Sequence, residues 1–486
     1  MLCPYLFLLF CPKKTKKMNS LWQQFALLNV PLDRWQGASY LSRLVGILQN
    51  WRQSSLIMQW GEAIGALLVS LVFTLSPFVT SNDLIGILLI ACAGFWILLT
   101  LSHDGKPGFT PIHLMVLLYW GISTIATALS PDKKAALVGW NKLTLYLLFF
   151  ALMARVLQNS RFRSWLITLY LHICLIVSVY GIRQWFQGVK PLATWNDPMS
   201  AMAKETRVYS YLGNPNLLAA YLLPAIALSV AAFFVWKGKG PKALALTMFV
   251  VNCACLRYTG SRGGWIGFVF LACVFLVLLW YWWRDYLPYF WRTWSLPIAL
   301  GSLATVLLLG FLVSEPLRIR LLSIFADRND SSNNFRRNVW DAVFEMIRAR
   351  PILGIGPGNT VFNKIYPLFM RPRFTALSAY SIYLEVLVET GIIGFSCFLW
   401  LLYVTFSQAW MQLDRLRKLS SPEGYWLLAA VATMAGMLGH GMVDTVWYRP
   451  EVNTLWWLMV AIIASYYYTI PQPQPEPENI DNFQEI

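Results

Sequence analysis

Residues 216–236 read NLLAAYLLPAIALSVAAFFVW, a run without a charged side chain and close to the roughly 20 residues that a membrane-spanning helix needs. Such helices satisfy their backbone polar groups internally, as the bilayer interior requires. Eleven other apolar runs lie near residues 60–80, 84–101, 110–129, 136–157, 164–186, 243–258, 262–283, 295–314, 381–406, 425–446 and 452–470. The chain is therefore predicted to be an all-α, polytopic integral membrane helix bundle of about 12 spans.

The composition excludes most classes of soluble protein. Hydrophobic residues make up 57% of the chain and charged residues 13%, whereas soluble proteins carry about 25% charged residues. The net charge is +16, but no basic run accompanies a nucleic-acid-reading module, so no nucleic-acid partner is expected. The excess of Lys and Arg instead fits cytoplasmic loops that lie beside anionic membrane lipids.

Basic residues cluster in alternate loops and set the predicted orientation. They precede the first span and follow the fourth, sixth and tenth spans, so both termini are predicted to be cytoplasmic, with the inner (plasma) membrane as the location. The predicted organisation is a basic cytoplasmic segment (1–59), spans one to nine (60–314), a large extracytoplasmic loop (315–380), spans ten to twelve (381–470) and a disordered cytoplasmic tail (471–486).

Two arginines stand at the predicted outer mouths of spans. Arg262 lies in Gly260-Ser-Arg-Gly-Gly264, a flexible turn that lets backbone approach a ligand. The runs on either side of this turn fit either a hairpin or one broken element. Arg207 comes shortly before the sixth span, where Asn214 and Asn216 are candidate helix caps. Guanidinium groups in these places suit phosphate or carboxylate, because they form paired, charge-assisted hydrogen bonds.

The large outer loop contains a predicted amphipathic helix. Between residues 335 and 350, apolar side chains recur with helical spacing, at Val339, Trp340, Val343, Phe344 and Ile347. Arg336 and Arg337 lie beside this stripe, so the helix is predicted to rest on lipid headgroups.

A tight turn is predicted after this helix, at Gly354-Ile-Gly356-Pro-Gly358. It lacks the preceding strand and the following Lys of a phosphate-binding loop. The four histidines form no metal-ligand cluster with cysteines or carboxylates, so neither a metal nor a cofactor is expected.

Several short motifs, in their order along the chain, resemble the O-antigen ligase and polymerase superfamily. They are Asn214-Pro-Asn216, Ser261-Arg262-Gly263, Arg336 four residues before Trp340, Pro351 to Gly358, and Tyr383-Leu-Glu385 followed by Glu389-Thr-Gly391. The resemblance covers about residues 60–470. The stretches Leu377 to Glu385 and Trp447 to Pro450 are most similar to a cyanobacterial branch of the superfamily that is named for bicarbonate transport.

The resemblance implies a set of site residues. Ligases of the superfamily move a glycan from a polyprenyl-diphosphate carrier to an acceptor, and their arginines hold the diphosphate. The matching positions here are Arg207, Arg262 and Arg336, with Arg337 alongside. Tyr380 stands where these enzymes carry a His that acts as general base. Residues implied to shape the site are Asn214, Asn216, Gly263, Gly356, Gly358 and Glu385.

Two functions follow as hypotheses. The first is a role in bicarbonate or inorganic-carbon uptake, with the arginines meeting the anion. The second is glycan transfer from a polyprenyl-diphosphate carrier, of the ligase or polymerase type. Both expect membrane lipids as partners, and neither predicts an oligomeric state.

Overall fold

A computed structural model describes residues 22–27, 45–79, 82–102, 108–192, 206–315, 318–319, 322 and 331–467. Within these ranges the secondary structure is helical and contains no strand, in agreement with the predicted all-α class. The helices are α1 (Gln49–Ser54), α2 (Leu56–Gln59), α3 (Gly61–Leu75), α4 (Asn82–Leu101), α5 (Pro111–Ala128), α6 (Lys133–Val156), α7 (Ser160–Phe186), α8 (Pro215–Val235), α9 (Lys239–Thr259), α10 (Arg262–Trp283), α11 (Tyr289–Val313), α12 (Ser331–Ala349), α13 (Asn359–Ile365), α14 (Ile382–Lys418), α15 (Gly424–His440) and α16 (Pro450–Ser465).

Eight of the helices in the described ranges are long and apolar enough to cross a membrane, which supports an integral membrane protein. They are α4, α5, α6, α7, α8, α10, α11 and α14. Helices α3, α9, α15 and α16 coincide with the remaining predicted spans, but α3, α15 and α16 are short, with 15, 17 and 16 residues. The count of 12 spans and the orientation of the loops stay predictions. The predicted tail 471–486 and most of the N-terminal segment lie outside the described residues.

Helix α8, with which the sequence argument began, forms the centre of the bundle. In the most apolar 18-residue stretch of this helix, 78% of the residues are buried. The helix packs against α9 and α15. In the corresponding 18-residue stretch of α11, by contrast, no residue is buried. Because α8 is packed against neighbouring helices, its first residues are held in place. This end of α8 carries the candidate site.

Helix α14 is interrupted at Gly391, where the sequence predicted an unbroken span. Gly391 has φ 63° and ψ −169°, a conformation that favours glycine, and the helix continues beyond it to Lys418. A break of this kind leaves backbone carbonyl and N–H groups without helical partners. In a membrane such groups must find partners within the protein.

The predicted glycine turn after α12 supplies those partners. Ile355 N donates to Val388 O at 2.9 Å, and Gly356 N donates to Glu389 O at 2.9 Å. On the other side of the break, Ile392 N donates to Pro351 O at 2.8 Å. We call residues 351–358 the inserted loop, since its backbone completes the hydrogen bonding of α14.

Helix α12 forms where the amphipathic pattern predicted it, but its apolar face does not rest on headgroups. Val339, Val343 and Met346 are buried against residues of the loop that follows and against Ala135 and Ala136 of α6. Phe344, predicted for the same stripe, is 46% exposed. The described part of segment 331–380 thus has its own small core, which holds α12 against α6.

Candidate functional site

Arg207 is held at the start of α8 by two hydrogen bonds. Its Nε donates to Thr259 O and its Nη2 to Asn216 Oδ1, each at 2.9 Å. Asn216 Nδ2 in turn donates to Asp444 Oδ2 at 2.7 Å. A partly buried chain of polar groups therefore runs from Arg207 through Asn216 to Asp444.

Asn214 and Asn216, both predicted as caps, have different roles. Asn214 is the N-cap of α8, and its Oδ1 accepts from Asn216 N at 2.8 Å and Leu217 N at 3.3 Å. Pro215 occupies the first helical position, where its missing N–H costs nothing. The cap fixes the backbone of Asn216, so that its side chain bridges Arg207 and Asp444.

Arg336 reaches the same place from α12. Its Nε donates to Val443 O at 2.9 Å and its Nη1 to Ser332 Oγ at 2.7 Å. The side chain is half-buried, whereas that of the neighbouring Arg337 is exposed. The two adjacent arginines of the predicted set thus face different surroundings.

Arg262 is the first residue of α10. The preceding turn separates α9 and α10 into two helices, with Gly260 at φ 58° and Ser261 as the N-cap. The next residue, Gly263, packs so closely that an added Cβ would lie 2.7 Å from His440 Cδ2 and 3.2 Å from Val443 Cγ2. Only glycine allows the start of α10 to approach His440 and Val443 in this way.

Three segments that are distant in sequence therefore meet at one turn. We call residues 441–445, which follow α15, the 441–445 turn. Arg207 approaches it through Asn216, Arg336 binds its Val443 carbonyl, and the start of α10 packs on it. These three arginine-bearing segments and the carboxylate of Asp444 are here called the arginine cluster; guanidinium groups are of the kind that bind phosphate or carboxylate.

Tyr380 lies beside this cluster in a backbone conformation that bulky residues rarely adopt, with φ 51°. The residue before it, Ala379, is fixed at both backbone groups: its N–H donates to Glu385 Oε2 at 2.6 Å and its carbonyl accepts from Trp340 Nε1 at 3.0 Å. Two residues later, Ile382 N donates to Gly441 O at 2.8 Å. These bonds hold Tyr380 at the edge of the 441–445 turn.

The raised pKa of Tyr380 excludes this residue as an ordinary base near neutral pH. Burial, together with the nearby Asp444 carboxylate, raises the pKa of Tyr380 to about 12, although Arg336 acts in the opposite direction. At pH 7 the phenolate fraction is then roughly 10⁻⁵. Tyr380 can instead donate a hydrogen bond from its hydroxyl.

The remaining site-shaping residues support the inserted loop and the backbone that precedes Tyr380. Glu385 holds Ala379, as described, and Gly358 N donates to Glu389 Oε1 at 2.7 Å. Gly356 and Gly358 have φ near 100°, which suits glycine, and Gly356 also donates to the Glu389 carbonyl. They thus build the support of the site rather than the arginine cluster itself.

Sequence reasoning did not join His440 and Asp444 to the arginines. Both are ionisable residues at the end of a predicted span, four positions apart, just before the Trp447 to Pro450 motif. His440 is fully buried, and within the described part of the chain neither of its ring nitrogens has a hydrogen-bond partner. The four-residue spacing of His440 and Asp444 could have marked them as candidate site residues. It could not predict their contacts with segments more than 100 residues away.

Comparison with known families points to the same region. Residues 244–399 match the O-antigen ligase family model, Wzy_C. The match covers about a third of the chain and includes Arg262, Arg336 and Tyr380. No curated protein matches the chain.

The match and the long apolar helices together support an O-antigen ligase-like membrane protein. They give no support to the bicarbonate branch. Arg207 and Asp444 lie outside the matched range. Their place beside the ligase-like segment rests on the hydrogen bonds from Arg207 to Thr259 and from Arg336 to Val443, the neighbour of Asp444.

Proposed function

We propose that this protein binds a polyprenyl-diphosphate glycan at the arginine cluster and transfers the glycan to an acceptor hydroxyl on the extracytoplasmic face. The observation that carries the proposal is the meeting of Arg207, Arg262 and Arg336 segments at the 441–445 turn. The ligase match, which contains two of these arginines, supports it further.

The chemistry requires positive charge at the leaving group. The acceptor oxygen attacks the anomeric carbon, the bond from that carbon to the diphosphate oxygen breaks, and its electron pair stays on the diphosphate. Guanidinium groups that are already fixed stabilise the charge that develops there. The Tyr380 hydroxyl is placed at the edge of this cluster and donates a further hydrogen bond in the proposal.

Asp444 is the proposed acceptor of the hydroxyl proton. It is buried at the 441–445 turn, and its two oxygens accept from Asn216 Nδ2 and from Thr445 N. These bonds fix the carboxylate beside the arginine cluster, as a general base must be fixed in reach of the proton that it takes. Tyr380, in the position of the family's His, does not fill this role at neutral pH.

Asp444→Asn is expected to reduce glycan transfer by about 10²–10⁴-fold, because it removes the base while keeping the size of the side chain and an acceptor for Asn216. Donor binding should change by less than threefold or so. The measurement is transfer from a radiolabelled polyprenyl-diphosphate sugar by protein in nanodiscs, with donor binding measured by filtration. Asp341→Asn is the matched control, because this half-exposed carboxylate of α12 pairs with Arg371 away from the arginine cluster. Unchanged transfer in Asp444→Asn would exclude Asp444 as the base.

Tyr380→Phe is expected to lower the transfer rate about 10- to 100-fold, since a hydrogen bond to a charged group contributes roughly 1.5–3 kcal/mol. Because the pKa of Tyr380 is about 12, its ionisation contributes no step between pH 6 and 9. The pH–rate profile of the variant should therefore keep the shape of the unmodified profile in this range. A step that disappears in Tyr380→Phe would instead make Tyr380 a titrating base.

Bicarbonate uptake is tested in the same preparation. Proteoliposomes are supplied with labelled bicarbonate, with Arg336→Ala beside the unmodified protein. Saturable uptake that depends on Arg336, together with no binding of the prenyl-diphosphate donor, would overturn the proposed function.

A further inference from the structure

The basic residues on the predicted cytoplasmic side are of two kinds. One kind is neutralised within the protein by a carboxylate oxygen 2.6–2.9 Å away, as in the pairs Arg155–Glu62, Arg163–Glu423, Arg417–Asp285 and Lys418–Asp414. The other kind has no ion-pair partner among the described residues, and Arg161, Lys237 and Lys239 belong to it. Their charges are available to an anion from outside the chain.

These three residues lie in a part of the chain without acidic side chains. Residues 159–190, which include α7, contain neither Asp nor Glu, and the same is true of residues 215–260, which include α8 and α9. Helix α7 packs against both α8 and α9. No carboxylate of these three helices can therefore neutralise the guanidinium or the two ammonium groups.

The three basic residues border one edge of the bundle. Arg161 and His172 lie on the same face of α7, because their spacing corresponds to about three full helical turns. The His172 ring is 6.5 Å from the ring of Trp236, which directly follows α8 and precedes Lys237. Trp165, between them on the same α7 face, is 45% exposed, and an exposed indole suits headgroup depth. This edge is here called the basic edge, and its residues are Arg161, Trp165, His172, Trp236, Lys237 and Lys239.

The start of α7 forms an open groove of ≈ 460 Å³ that is lined by polar side chains and one indole: Ser160, Arg161, Ser164, Trp165 and Thr168. The hydroxyls of Ser164 and Thr168 make no hydrogen bond to a described residue. On α9, by contrast, the exposed Thr247 satisfies its hydroxyl within its own helix, by donating to Ala243 O at 3.0 Å. A guanidinium and two available hydroxyls thus stand together in the groove, and these are donors from which a phosphate group accepts.

Apolar surface continues from the charged residues along two helices. Ile176 and Val179 lie on the same α7 face as the groove, and each is 53% exposed. On α9, Leu246 and Val250 lie on the face that begins at Lys239, and they are 53% and 56% exposed. Each helix therefore joins a basic end to an apolar strip. A negatively charged head with two acyl chains has the same arrangement, whereas a free anion would leave both strips uncovered.

We propose that the basic edge binds one anionic phospholipid of the adjacent leaflet, with its phosphate at Arg161, Ser164 and Thr168 and its acyl chains along α7 and α9. Lys237 and Lys239 attract the headgroup, and each basic residue near a membrane surface strengthens such binding about fivefold. The site lies at the opposite end of α8 from the arginine cluster, roughly 30 Å away along this 21-residue helix. It therefore does not rest on the proposed function.

The test places the full-length protein in nanodiscs of phosphatidylcholine that contain phosphatidylglycerol with a photoreactive diazirine on one acyl chain. After irradiation, labelled peptides are located by mass spectrometry. We expect label within residues 172–180 or 243–253, and we expect unlabelled phosphatidylglycerol to compete for it. Added phosphatidylcholine and inorganic phosphate should not compete, because the first lacks the net negative charge and the second lacks the acyl chains.

Removing the positive charges should weaken this labelling in steps. Arg161→Gln is expected to reduce it about fivefold, and the double substitution Lys237→Gln with Lys239→Gln about ten- to twentyfold. Arg292→Gln is the matched control, because Arg292 is exposed near the start of α11 on the same predicted side and has no ion pair with a described residue. The control should label like the unmodified protein.

The groove hydroxyls are tested separately from the charges. Thr168→Val keeps the size of the side chain and removes its hydroxyl, and it is expected to reduce labelling about two- to threefold. Thr247→Val is the control, since its hydroxyl already bonds within α9 and lies outside the groove. An equal decrease in both variants would show that the Thr168 hydroxyl does not bind the headgroup.

Three results would overturn the lipid site: equal labelling by a photoreactive phosphatidylcholine, displacement by inorganic phosphate, or unchanged labelling in both Arg161→Gln and the double lysine variant. The first would identify ordinary bilayer lipid around the helices, and the second a site for the free anion. Arg336→Ala should abolish binding of the prenyl-diphosphate carrier and leave the lipid labelling intact. The failure of one proposal is therefore distinguishable from the failure of the other.

Discussion

Arg336→Ala is expected to lower glycan transfer by about 10²–10³-fold, the usual cost of removing one fixed donor to a developing oxyanion. The reason is positional as well as electrostatic. The bonds from Arg336 to Val443 O and Ser332 Oγ hold the guanidinium at the 441–445 turn before any ligand arrives. Arg336→Lys keeps the charge but loses the planar fork, so it should recover only part of the rate.

The measurement is the initial rate of transfer in nanodiscs, with the midpoint of thermal unfolding as a check on folding. Arg348→Ala is the control, because Arg348 lies on the same helix with its side chain 74% exposed and paired with Glu345. If Arg336→Ala transfers glycan within twofold of the unmodified protein, the arginine cluster is not the diphosphate site.

Gly391→Ala is expected to prevent most of the chain from reaching a stable fold. An alanine at φ 63° costs about 1–2 kcal/mol for the conformation alone. Its Cβ would also collide with the backbone carbonyl of Ile352 in the inserted loop, which cannot move without breaking the hydrogen bonds across the helix break. Together these effects place the substitution among the few that destabilise by more than about 4 kcal/mol.

Fluorescence-detected size-exclusion chromatography after heating measures this effect in detergent. Gly121→Ala is the matched control: Gly121 lies within α5 and an added Cβ there meets nothing within 4 Å. Alanine should be neutral or slightly stabilising at that position, by up to about 1 kcal/mol. Equal melting of the two variants would show that the inserted loop is not what requires glycine at residue 391.

The helices of the bundle were largely predictable, and the interruption of α14 was not. Apolar runs report burial in lipid or protein, and they located α8 and the start of α14 within a few residues. Gly391 sits inside such a run, and glycine within a span is not unusual. The helix break is completed by the backbone of residues 351–358. This loop lies some 30 residues earlier in the chain, and no local sequence pattern around Gly391 predicts that contact.

The candidate site was predictable in part. Arg262 and Arg336 could be singled out because each lies in a motif of its own at a predicted span mouth or loop helix. Asn216 and Asp444, which link Arg207 to the 441–445 turn, are 228 positions apart, and their contact depends on how α8 and α15 pack. The prediction that the apolar face of α12 rests on headgroups was wrong for a similar reason, since a helical stripe does not reveal whether lipid or protein will cover it.

The inserted loop also constrains the order in which the chain can be assembled. A span is commonly able to enter the bilayer as an independent helix and to pack with its neighbours afterwards. The first part of α14 lacks that independence, because the carbonyls of Val388 and Glu389 are satisfied by residues made earlier in the chain. Residues 351–358 must therefore already be on the side of the membrane where they finally lie before this span can settle at its full depth.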